Sequence, residues 1–324
     1  MCTAITFGTG DHYFGRNLDL EFSYEEAVAI VPRNVYLPFR KTGGMERHHA
    51  MIGIAYVQEA YPLFYDAVNE KGLAMAGLNF PGYAIYRETV DEKENIAPFE
   101  LIPWVLGQCG SVTEARELLE RTNLIQEDFS TTLPATPLHW MLADSEGAIV
   151  VESLKTGIKI YDNPIGVLTN NPPFPVQKTY LRNFLSLTCE EPVNRFSRNF
   201  RLEPYSRGMG ALGLPGDGSS QSRFVRAAFI KENAICAEAE EETVSQFFHV
   251  LNAVEQVRGS VRLANGHCVM TVYSSCCNLE KGIYYYTTYE NRQITAVDLH
   301  RTCLDGMHLI SYPLLRAEQF RYEN

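Results

Sequence analysis

Cys2 follows the initiator methionine directly. Removal of Met1 would leave a cysteine that carries both a thiol and a free α-amine. An α-amine titrates at about 7.7–8.0, so it can accept a proton near neutral pH, whereas a lysine at about 10.4 must first be buried. Nucleophile and base would then share one residue. Taken alone, these two letters also fit an unremarkable terminal cysteine, so the surrounding sequence must decide.

Arg16 and Asp19 lie in the segment FGRNLD at 14–19, which reads as a strand that could run beside the first one. A guanidinium near a thiol favours the thiolate form, and a carboxylate can orient an amine. The alternative is an ordinary surface Arg–Asp pair, which is the commoner arrangement for such residues. Arg16 and Asp19 therefore indicate a catalytic site only in combination with Cys2.

Other motifs do not predict a cofactor or a metal. The segment GMGALG at 208–213 matches a dinucleotide-binding pattern, but it neither follows a hydrophobic strand nor opens a helix, so we predict a glycine loop. His48 and His49 lack a partner at metal-ligand spacing, and no Cys-x-x-Cys or His-Glu-x-x-His is present. The absence of Gly-x-Ser-x-Gly argues against a serine hydrolase.

Short apolar runs rich in β-branched and aromatic residues predict the strands that must position these residues. The predicted strands cover residues 3–7, 13–20, 27–32, 50–57, 63–68, 73–78, 138–143, 148–152, 157–161, 267–274, 282–288, 293–299 and 307–312. Helices are predicted from Pro98 to about Gly107, after a Thr113 cap, and over 224–229 and 244–254. Strands at both ends with helices between them predict one mixed domain over 1–324, whose two ends share sheets.

Composition limits the possible partners and location. The chain has 324 residues, 28 basic and 39 acidic, and a net charge of −11. Such a balance repels phosphate backbones and argues against nucleic-acid binding. No apolar run reaches the roughly 18 residues of a membrane span, and the N-terminus lacks the features of a signal peptide. The eight cysteines lack the spacing of a secreted disulfide scaffold. We therefore expect a soluble, cytoplasmic protein without membrane or nucleic-acid partners.

An ordered series of segments resembles the choloylglycine hydrolase family, which includes conjugated bile salt hydrolases and penicillin V acylases. The series spans nearly the whole chain and consists of MCTAIT at 1–6, FGRNLD at 14–19, NEKGL at 69–73, AGLN at 76–79, PFE at 98–100, LHW at 138–140, LTNNP at 168–172, GLPGD at 213–217, SRF at 222–224 and LEKG at 279–282. The resemblance implies an α+β fold, the four-layer αββα sandwich of N-terminal nucleophile hydrolases, with two antiparallel sheets covered by helices.

The resemblance also implies six catalytic positions, namely Cys2, Arg16, Asp19, Asn79, Asn170 and Arg223. Cys2 would be the nucleophile and its α-amine the base. Asn79 and Asn170 would hold the amine and stabilise the tetrahedral oxyanion, since neutral amides can donate hydrogen bonds without adding a charge. Arg223 would be a second arginine beneath the nucleophile. Without the family pattern, Asn170 would simply be predicted as a turn residue.

Within the family, asparagine at position 79 is typical of bile salt hydrolases, whereas penicillin V acylases often carry tyrosine there. A steroid acyl group needs a broad apolar pocket with few polar contacts. The predicted wall residues are Leu20, Phe22, Tyr24, Leu63, Phe64, Tyr65, Phe129, Leu133, Ala135 and Leu138. Each of them individually fits a core or loop position equally well.

The function expected from this resemblance is hydrolysis of glycine- or taurine-conjugated bile acids through a Cys2 acyl-enzyme, without a cofactor. The first alternative is a penicillin V acylase or another N-acyl amide hydrolase of the same family. The second is a bile-acid- or lipid-binding module that has lost catalysis. The resemblance further implies a homotetramer, about which the residues themselves are silent.

Overall fold

Strands dominate the computed structural model, which describes residues 1–324. The strands are β1 (Cys2–Gly8), β2 (His12–Leu20), β3 (Ala27–Val31), β4 (Leu37–Phe39), β5 (Gly43–Met45), β6 (Met51–Gln58), β7 (Tyr61–Asn69), β8 (Ala74–Asn79), β9 (Glu94–Ile96), β10 (Thr122–Leu124), β11 (Leu138–Ala143), β12 (Ala148–Leu154), β13 (Gly157–Asp162), β14 (Val167–Leu168), β15 (Val261–Arg262), β16 (Cys268–Asn278), β17 (Ile283–Thr288), β18 (Asn291–Asp298) and β19 (Ile310–Pro313). The α-helices are α1 (Leu101–Gln108), α2 (Val112–Arg121), α3 (Phe174–Tyr180), α4 (Ser220–Asn233) and α5 (Glu240–Asn252).

Two large antiparallel sheets contain most of these strands. The first sheet has the order β14-β1-β2-β16-β17-β18, with β15 beside β16. The second has the order β13-β12-β11-β8-β7-β6-β3-β19. The second strand of the chain thus pairs with β16 near its end, and β3 likewise pairs with β19. This confirms the prediction that the two ends share sheets.

Helices cover the outer face of each sheet. Helices α4 and α5 contact β1, while α1 contacts β7 and β8 and α2 contacts β13. Helix α1 is apolar on all sides and is buried from Leu101 to Gly107, as expected for a helix that lies between a sheet and other core elements. The result is a mixed α+β architecture of two sheets between helical layers, which confirms the predicted four-layer sandwich.

The pairing of β1 with β2 sorts the side chains near Cys2 onto two faces of the first sheet. Side chains alternate along a strand, so Cys2 and Arg16 share one face and Asn17 and Asp19 share the other. Arg16 reaches main-chain oxygens of β7 and β8, so its face looks towards the second sheet. Asn17 Nδ2 donates to the carbonyl oxygen of Leu251 in α5, so the other face looks towards the helices.

Several local predictions need correction. Helix α2 is capped by Ser111, whose side chain accepts from the backbone nitrogen of Glu114, and not by Thr113. Pro98 opens a short 3₁₀ turn that leads into α1, close to the predicted helix. Helix α3 and the short strands β4, β5, β9, β10, β14 and β15 were not predicted, since segments of so few residues carry little periodicity. None of the helices is long and apolar enough to cross a membrane.

Candidate active site

The main chain of Cys2 is bound on both sides by polar side chains. Its nitrogen donates to Asn170 Oδ1 at 2.8 Å, and its carbonyl oxygen accepts from Arg223 Nη1. The residue is only 2% exposed, and its sulfur takes part in none of the hydrogen bonds of the molecule. The backbone of Cys2 is therefore held in place by two hydrogen bonds, while its thiol has no hydrogen-bond partner.

Met1 extends the first strand by one residue. Its amine donates to the carbonyl oxygen of Asp19 at 2.6 Å, and the Asp19 nitrogen donates to the Met1 carbonyl oxygen at 2.9 Å. These two bonds continue the β1–β2 ladder past Cys2. Met1 thus continues the strand beyond Cys2. Its removal would convert the Cys2 amide nitrogen, which is bound by Asn170, into an amine at the same place.

The Asp19 carboxylate is completely buried on the helix side of the first sheet. Thr271 Oγ1 donates to Asp19 Oδ1 at 2.6 Å, while Oδ2 has no hydrogen-bond partner and lies 4.0 Å from Arg223 Nη1. Burial raises the pKa of Asp19, and the attraction of Arg223 and of the chain's terminal amine opposes that shift. Oδ2 is thus an acceptor with unused capacity beside the start of the chain.

Arg223, in α4, joins the helix layer to the start of the chain. Besides Cys2, it donates to Gly218 O at 3.0 Å, Thr3 Oγ1 at 2.7 Å and Asn170 Oδ1 at 2.6 Å. Burial lowers the pKa of this guanidinium, whereas Asp19 and Cys2 act in the opposite direction. With these four hydrogen-bond partners, Arg223 holds the backbone of Cys2 in a fixed position.

Arg16 approaches from the opposite face, between the sheets. Its Nη1 donates to the carbonyl oxygens of Tyr65, at 2.9 Å, and Gly77, while its Nη2 is buried without a partner. Burial disfavours the charge, but the attraction of Cys2, and then of further anionic groups that include Asp66, raises the pKa of Arg16 overall. A cation with a free donor therefore shares a face with the thiol.

Asp66 supplies a buried countercharge for Arg16. It projects from β7 between the sheets, where it accepts hydrogen bonds from the hydroxyls of Tyr273, Ser275 and Tyr284. Burial raises the pKa of Asp66, whereas Arg16 and the three hydroxyls favour its ionised form. This cluster fixes the electrostatic surroundings of Arg16 in an otherwise apolar layer.

Asn170 and Asn79 meet across the site. Asn170 Nδ2 donates to the main-chain oxygen of Asn79 at 2.7 Å, and Asn170 Oδ1 is occupied by Cys2 and Arg223. Ser220 Oγ accepts from the Asn170 nitrogen at 2.9 Å. The half-buried side chain of Asn79 forms no hydrogen bond, so its amide is free to donate. The six predicted catalytic residues are thus brought together, while their catalytic roles remain predictions.

Three of the predicted wall residues adjoin this group. Leu20 ends β2, on the strand that carries Arg16. Leu138 lies opposite Asn79 in the pairing of β11 with β8. Tyr65 binds Arg16 through its carbonyl oxygen, and its ring packs against the core cluster that contains Cys2. Leu20 and Tyr65 thus place apolar surface on the side of the first sheet that faces the second, whereas the side chain of Leu138 packs against the core beneath α1 and α2.

An aromatic loop follows β2. The rings of Phe22 and Tyr24 lie 4.9 Å apart, and Tyr24 packs against Tyr56 at 5.8 Å. Leu63 pairs with Tyr56 on the neighbouring strand. Phe22 and Tyr24 are 48% and 38% exposed, which leaves apolar surface available for a ligand.

The remaining wall residues lie further from Cys2. Phe64 is buried in the core beneath α1 and α2, on the other face of the second sheet. Phe129 packs against the same core, with its ring 5.9 Å from that of Tyr61. Leu133 shares a tight turn with Phe129, and the nitrogen of Ala135 is bound by a side chain of the same loop. No contact brings these four residues to the catalytic group.

Sequence reasoning missed the residues that support the catalytic group. Thr271 and Ser220 are single hydroxyls without a motif of their own, so no signal marked them. Asp66 carried a usable signal, because a carboxylate stands there within the apolar strand β7. His139 and Glu152, both buried, lie within strands that were predicted, but a lone buried histidine does not by itself indicate a site.

The size of the surface clefts does not identify this site. A cleft of about 1050 Å³ lies at the far end of β1 around Thr6 and Gly8, and its lining includes Arg116 and Lys231 but none of the six predicted catalytic residues. No group of three or more His, Cys, Asp or Glu side chains is arranged to hold a metal ion. The candidate site is therefore defined by the geometry around Cys2 and not by cavity volume.

Comparisons with known proteins agree with this geometry. The sequence profile of the linear amide C–N hydrolases, choloylglycine hydrolase family, matches residues 2–312. A bile salt hydrolase/transferase from Lactiplantibacillus plantarum is 53% identical over 99% of both chains.

Solved structures show the same fold. The crystal structure of the C2A mutant of the conjugated bile acid hydrolase from Clostridium perfringens superposes with a TM-score of 0.93, at 37% identity over the full length of both chains. Penicillin V acylase from Agrobacterium tumefaciens, at 18% identity and a TM-score of 0.76 over 96% of this chain and 90% of its own, shares the fold. The profile match and the close relative together establish that this chain belongs to the choloylglycine hydrolase family of linear amide C–N hydrolases.

Proposed function

We propose that this chain hydrolyses the amide bond of glycine- or taurine-conjugated bile acids. The observation that carries the proposal is the pair of hydrogen bonds to the main chain of Cys2. Asn170 binds its nitrogen and Arg223 binds its carbonyl oxygen, while its sulfur has no hydrogen-bond partner. The high identity to a relative named bile salt hydrolase/transferase supports this substrate class.

The active chain begins at Cys2 in this proposal and functions as one N-terminal nucleophile hydrolase domain. After loss of Met1, the Cys2 nitrogen becomes an amine whose additional hydrogens need acceptors. Asn170 Oδ1 already binds this nitrogen, and Asp19 Oδ2 is a buried acceptor without a partner. Intact-mass measurement of active protein tests this step, since retention of Met1 would rule out an α-amine mechanism.

Acylation follows from these positions. The α-amine takes the thiol proton, and the sulfur of Cys2 attacks the amide carbonyl carbon to form a tetrahedral intermediate. We assign the free amide of Asn79 as the donor to the oxyanion, because Asn170 Nδ2 already donates to the Asn79 carbonyl oxygen. The α-ammonium then protonates the departing nitrogen, so that glycine or taurine leaves and a thioester remains on Cys2.

Deacylation reuses the same base. The α-amine, neutral again, removes a proton from water, and the resulting hydroxide attacks the thioester carbonyl. Collapse of the second intermediate breaks the C–S bond and returns the proton to the Cys2 sulfur, which releases the bile acid. Arg16 shares the face of the thiol and would stabilise its anion or an anionic end of the substrate.

The acyl part would lie against the apolar surface next to Cys2. Leu20, Phe22, Tyr24 and Tyr65 supply that surface on the side of the second sheet. A rigid steroid gains affinity from such walls mainly by burying apolar area. Phe64 is buried in the opposite core, so we propose no substrate contact for it.

The decisive experiment compares kcat/KM for glycocholate, taurocholate and phenoxymethylpenicillin. We expect the bile salts to be preferred by at least tenfold, and a large preference for the penicillin would show a penicillin V acylase instead. Binding of glycocholate without turnover by protein that lacks Met1 would show a binding module. Either outcome would overturn the proposed activity.

Acyl transfer is a second candidate activity, since an amine can attack the thioester in place of water. The Lactiplantibacillus plantarum relative is named hydrolase/transferase. Incubation of glycocholate with excess taurine, followed by mass spectrometry, tests it. Taurocholate formed by wild-type protein but not by Cys2→Ala would support transfer, and its absence would leave hydrolysis alone.

A homotetramer and a cytoplasmic location are further proposals that rest on the family resemblance and the composition. Light scattering of the purified protein tests the assembly, with a tetramer of this 36.6 kDa chain as the expected species. A monomer at all concentrations would contradict it.

A further inference from the structure

A buried histidine and a buried glutamate lie next to the two catalytic asparagines. His139 belongs to β11 and Glu152 to β12, and both side chains are 0% exposed. His139 Nδ1 lies 3.3 Å from Glu152 Oε1, and Nε2 lies 2.9 Å from the carbonyl oxygen of Thr169. Thr169 immediately follows β14 in the first sheet, so the imidazole connects the two sheets.

The same imidazole contacts the neighbours of both asparagines. Thr169 precedes Asn170, and Phe80, which follows Asn79, stacks on the His139 ring at 4.2 Å with only 6° between the planes. The asparagines are also joined directly through Asn170 Nδ2 and the Asn79 carbonyl. His139 thus contacts the residue before Asn170 through a hydrogen bond and the residue after Asn79 through ring stacking.

Hydrogen-bond chemistry defines the protons on this pair. A carbonyl oxygen can only accept, so His139 Nε2 must donate to Thr169. Nδ1 faces a carboxylate oxygen, so a proton also lies between Nδ1 and Glu152 Oε1. Glu152 Oε1 accepts in addition from the nitrogen of Phe174, which starts α3, while Oε2 has no partner. The pair thereby connects Thr169 with the segment that follows Asn170.

Stability alone does not account for such a pair. Removing two ionisable groups from water is costly, and replacing a buried ion pair by well-packed apolar residues is often neutral or stabilising. Buried polar networks do fix geometry, because their bonds have defined directions. A geometric role is therefore the better explanation for His139 and Glu152.

We propose that His139 and Glu152 are positioning residues for the amide hydrolysis. In this inference, which rests on the proposed function, they hold the Thr169 carbonyl and the Phe80 ring so that Asn170 and Asn79 stay aligned with Cys2. Neither side chain touches the reacting atoms. Misplacement of a catalytic group by about 1 Å can cost on the order of 10²-fold in rate.

Two substitutions of His139 separate its two bonds. In His139→Asn, the amide can occupy the place of Nδ1 and bind Glu152, but it is too short to reach Thr169. In His139→Gln, the amide can occupy the place of Nε2 and donate to Thr169. We expect kcat to fall about 10- to 100-fold in His139→Asn, with KM within about twofold of wild type, and to return to within about fivefold in His139→Gln.

His48→Asn is the matched control. His48 is also buried, and its two ring nitrogens face the carbonyl oxygens of His49 and Val35, remote from the catalytic group. We expect this variant to lose thermal stability and to keep kcat per folded molecule. A purely structural role for His139 would make the two asparagine variants behave alike, which would overturn the proposal.

The remaining outcomes are also decisive. Wild-type kcat in His139→Asn, or a raised KM with unchanged kcat, would overturn the positioning role. Should His139→Asn not fold, Phe80→Leu removes the stacked ring and keeps the imidazole; a few-fold lower kcat would support the proposal and an unchanged kcat would overturn it. Inactivity of wild-type protein on conjugated bile salts would instead overturn the proposed function.

Discussion

Cys2 is held differently on the two faces of the first sheet. On the helix side, Arg223 and Asn170 bind its main chain, and Asp19 lies close by. On the side of the second sheet, its sulfur has no hydrogen-bond partner, and Arg16 keeps one donor atom free. The helix side therefore fixes the position of Cys2, whereas the other side leaves its sulfur without a hydrogen bond.

The two arginines show the same contrast. Arg223 uses its donors on Gly218, Cys2, Thr3 and Asn170, so its charge is fully engaged in structure. Arg16 binds main-chain oxygens but leaves Nη2 buried without a partner. An unsatisfied buried donor costs free energy and is retained mainly where function needs it. The unpartnered donor of Arg16 thus lies on the face that carries the thiol.

The largest expected effect tests the side that bears the sulfur. Cys2→Ser should lower kcat by at least about 10³-fold, because a hydroxyl is a much weaker nucleophile than a thiol near neutral pH. Steady-state hydrolysis of glycocholate measures this loss, and circular dichroism checks the fold. Cys189→Ser, at an exposed cysteine, is the control and should keep full activity. Turnover at the wild-type rate in Cys2→Ser would remove Cys2 as the nucleophile.

A second prediction compares the arginines in stability. Arg223→Met leaves several buried polar partners without a donor and should lower the free energy of unfolding by about 3–5 kcal/mol. Arg16→Met should lower it by about 1–3 kcal/mol, because fewer bonds are lost. Urea denaturation measures both values. Equal losses would show that the two faces do not differ in structural role.

A third prediction concerns Asp66 and pH. Burial raises the pKa of Asp66 above its ordinary 3.8, so the unfolded chain ionises at lower pH than the folded protein does. The free energy of unfolding of the wild-type protein should therefore fall as pH rises from about 3.8 through the raised pKa of the folded state. The total loss is about 1.4 kcal/mol for each pH unit that separates the pKa of Asp66 in the folded protein from its pKa in the unfolded chain.

Asp66→Asn cannot ionise and escapes this loss. The melting temperature of the variant minus that of wild type should become more positive between pH 4 and 7, as measured by thermal unfolding. The same substitution at the exposed Asp91 is the matched control for the change of residue type. A difference that becomes more negative with rising pH would contradict the pKa direction given for Asp66.

The smallest expected effect concerns the aromatic loop that follows β2. Arg316 binds the buried Glu26 at 3.1 Å and also contacts Ser23, and so anchors the loop that carries Phe22 and Tyr24. Partly exposed ion pairs contribute about 0.2–1 kcal/mol, so Arg316→Ala should raise KM for glycocholate by up to about fivefold with kcat unchanged.

The control for this loop variant is Arg292→Ala, which breaks a comparable ion pair with Glu255 on another part of the surface. Its KM should equal that of wild type. A wild-type KM in Arg316→Ala would show that the C-terminal segment does not affect substrate binding. A lowered kcat would also contradict the prediction, because the loop is expected to act on binding alone.

Much of the fold was predictable from local patterns. Strands such as β3 and β7 are runs of apolar residues bounded by turn signals, and their existence follows from that pattern. The two-residue strand β14 was not predictable, because two residues define no period. Its place in the sheet comes from pairing with β1, a tertiary contact. The cap of α2 was misplaced by two residues, since Ser111 and Thr113 both suit a cap by type.

Prediction of the site depended on a full-length resemblance more than on local chemistry. Cys2, Arg16 and Asp19 lie within one hairpin, so their proximity follows from the pairing of β1 with β2. Asn170 and Arg223 are 168 and 221 positions from Cys2 along the chain, a separation that no local pattern bridges. Residues that only support others, such as His139, carry no chemical signature in the sequence.

Local sequence predicts a cysteine nucleophile, the strands that carry it and the alternation that places Arg16 and Asp19 on opposite faces. Alternation depends only on the backbone repeat of a strand, so it can be read from one segment. Which distant groups fill each face depends on how the whole chain packs. Packing brought Arg223 to the helix side and Asp66 to the inter-sheet side, and burial then shifted their pKa values in ways that composition cannot show.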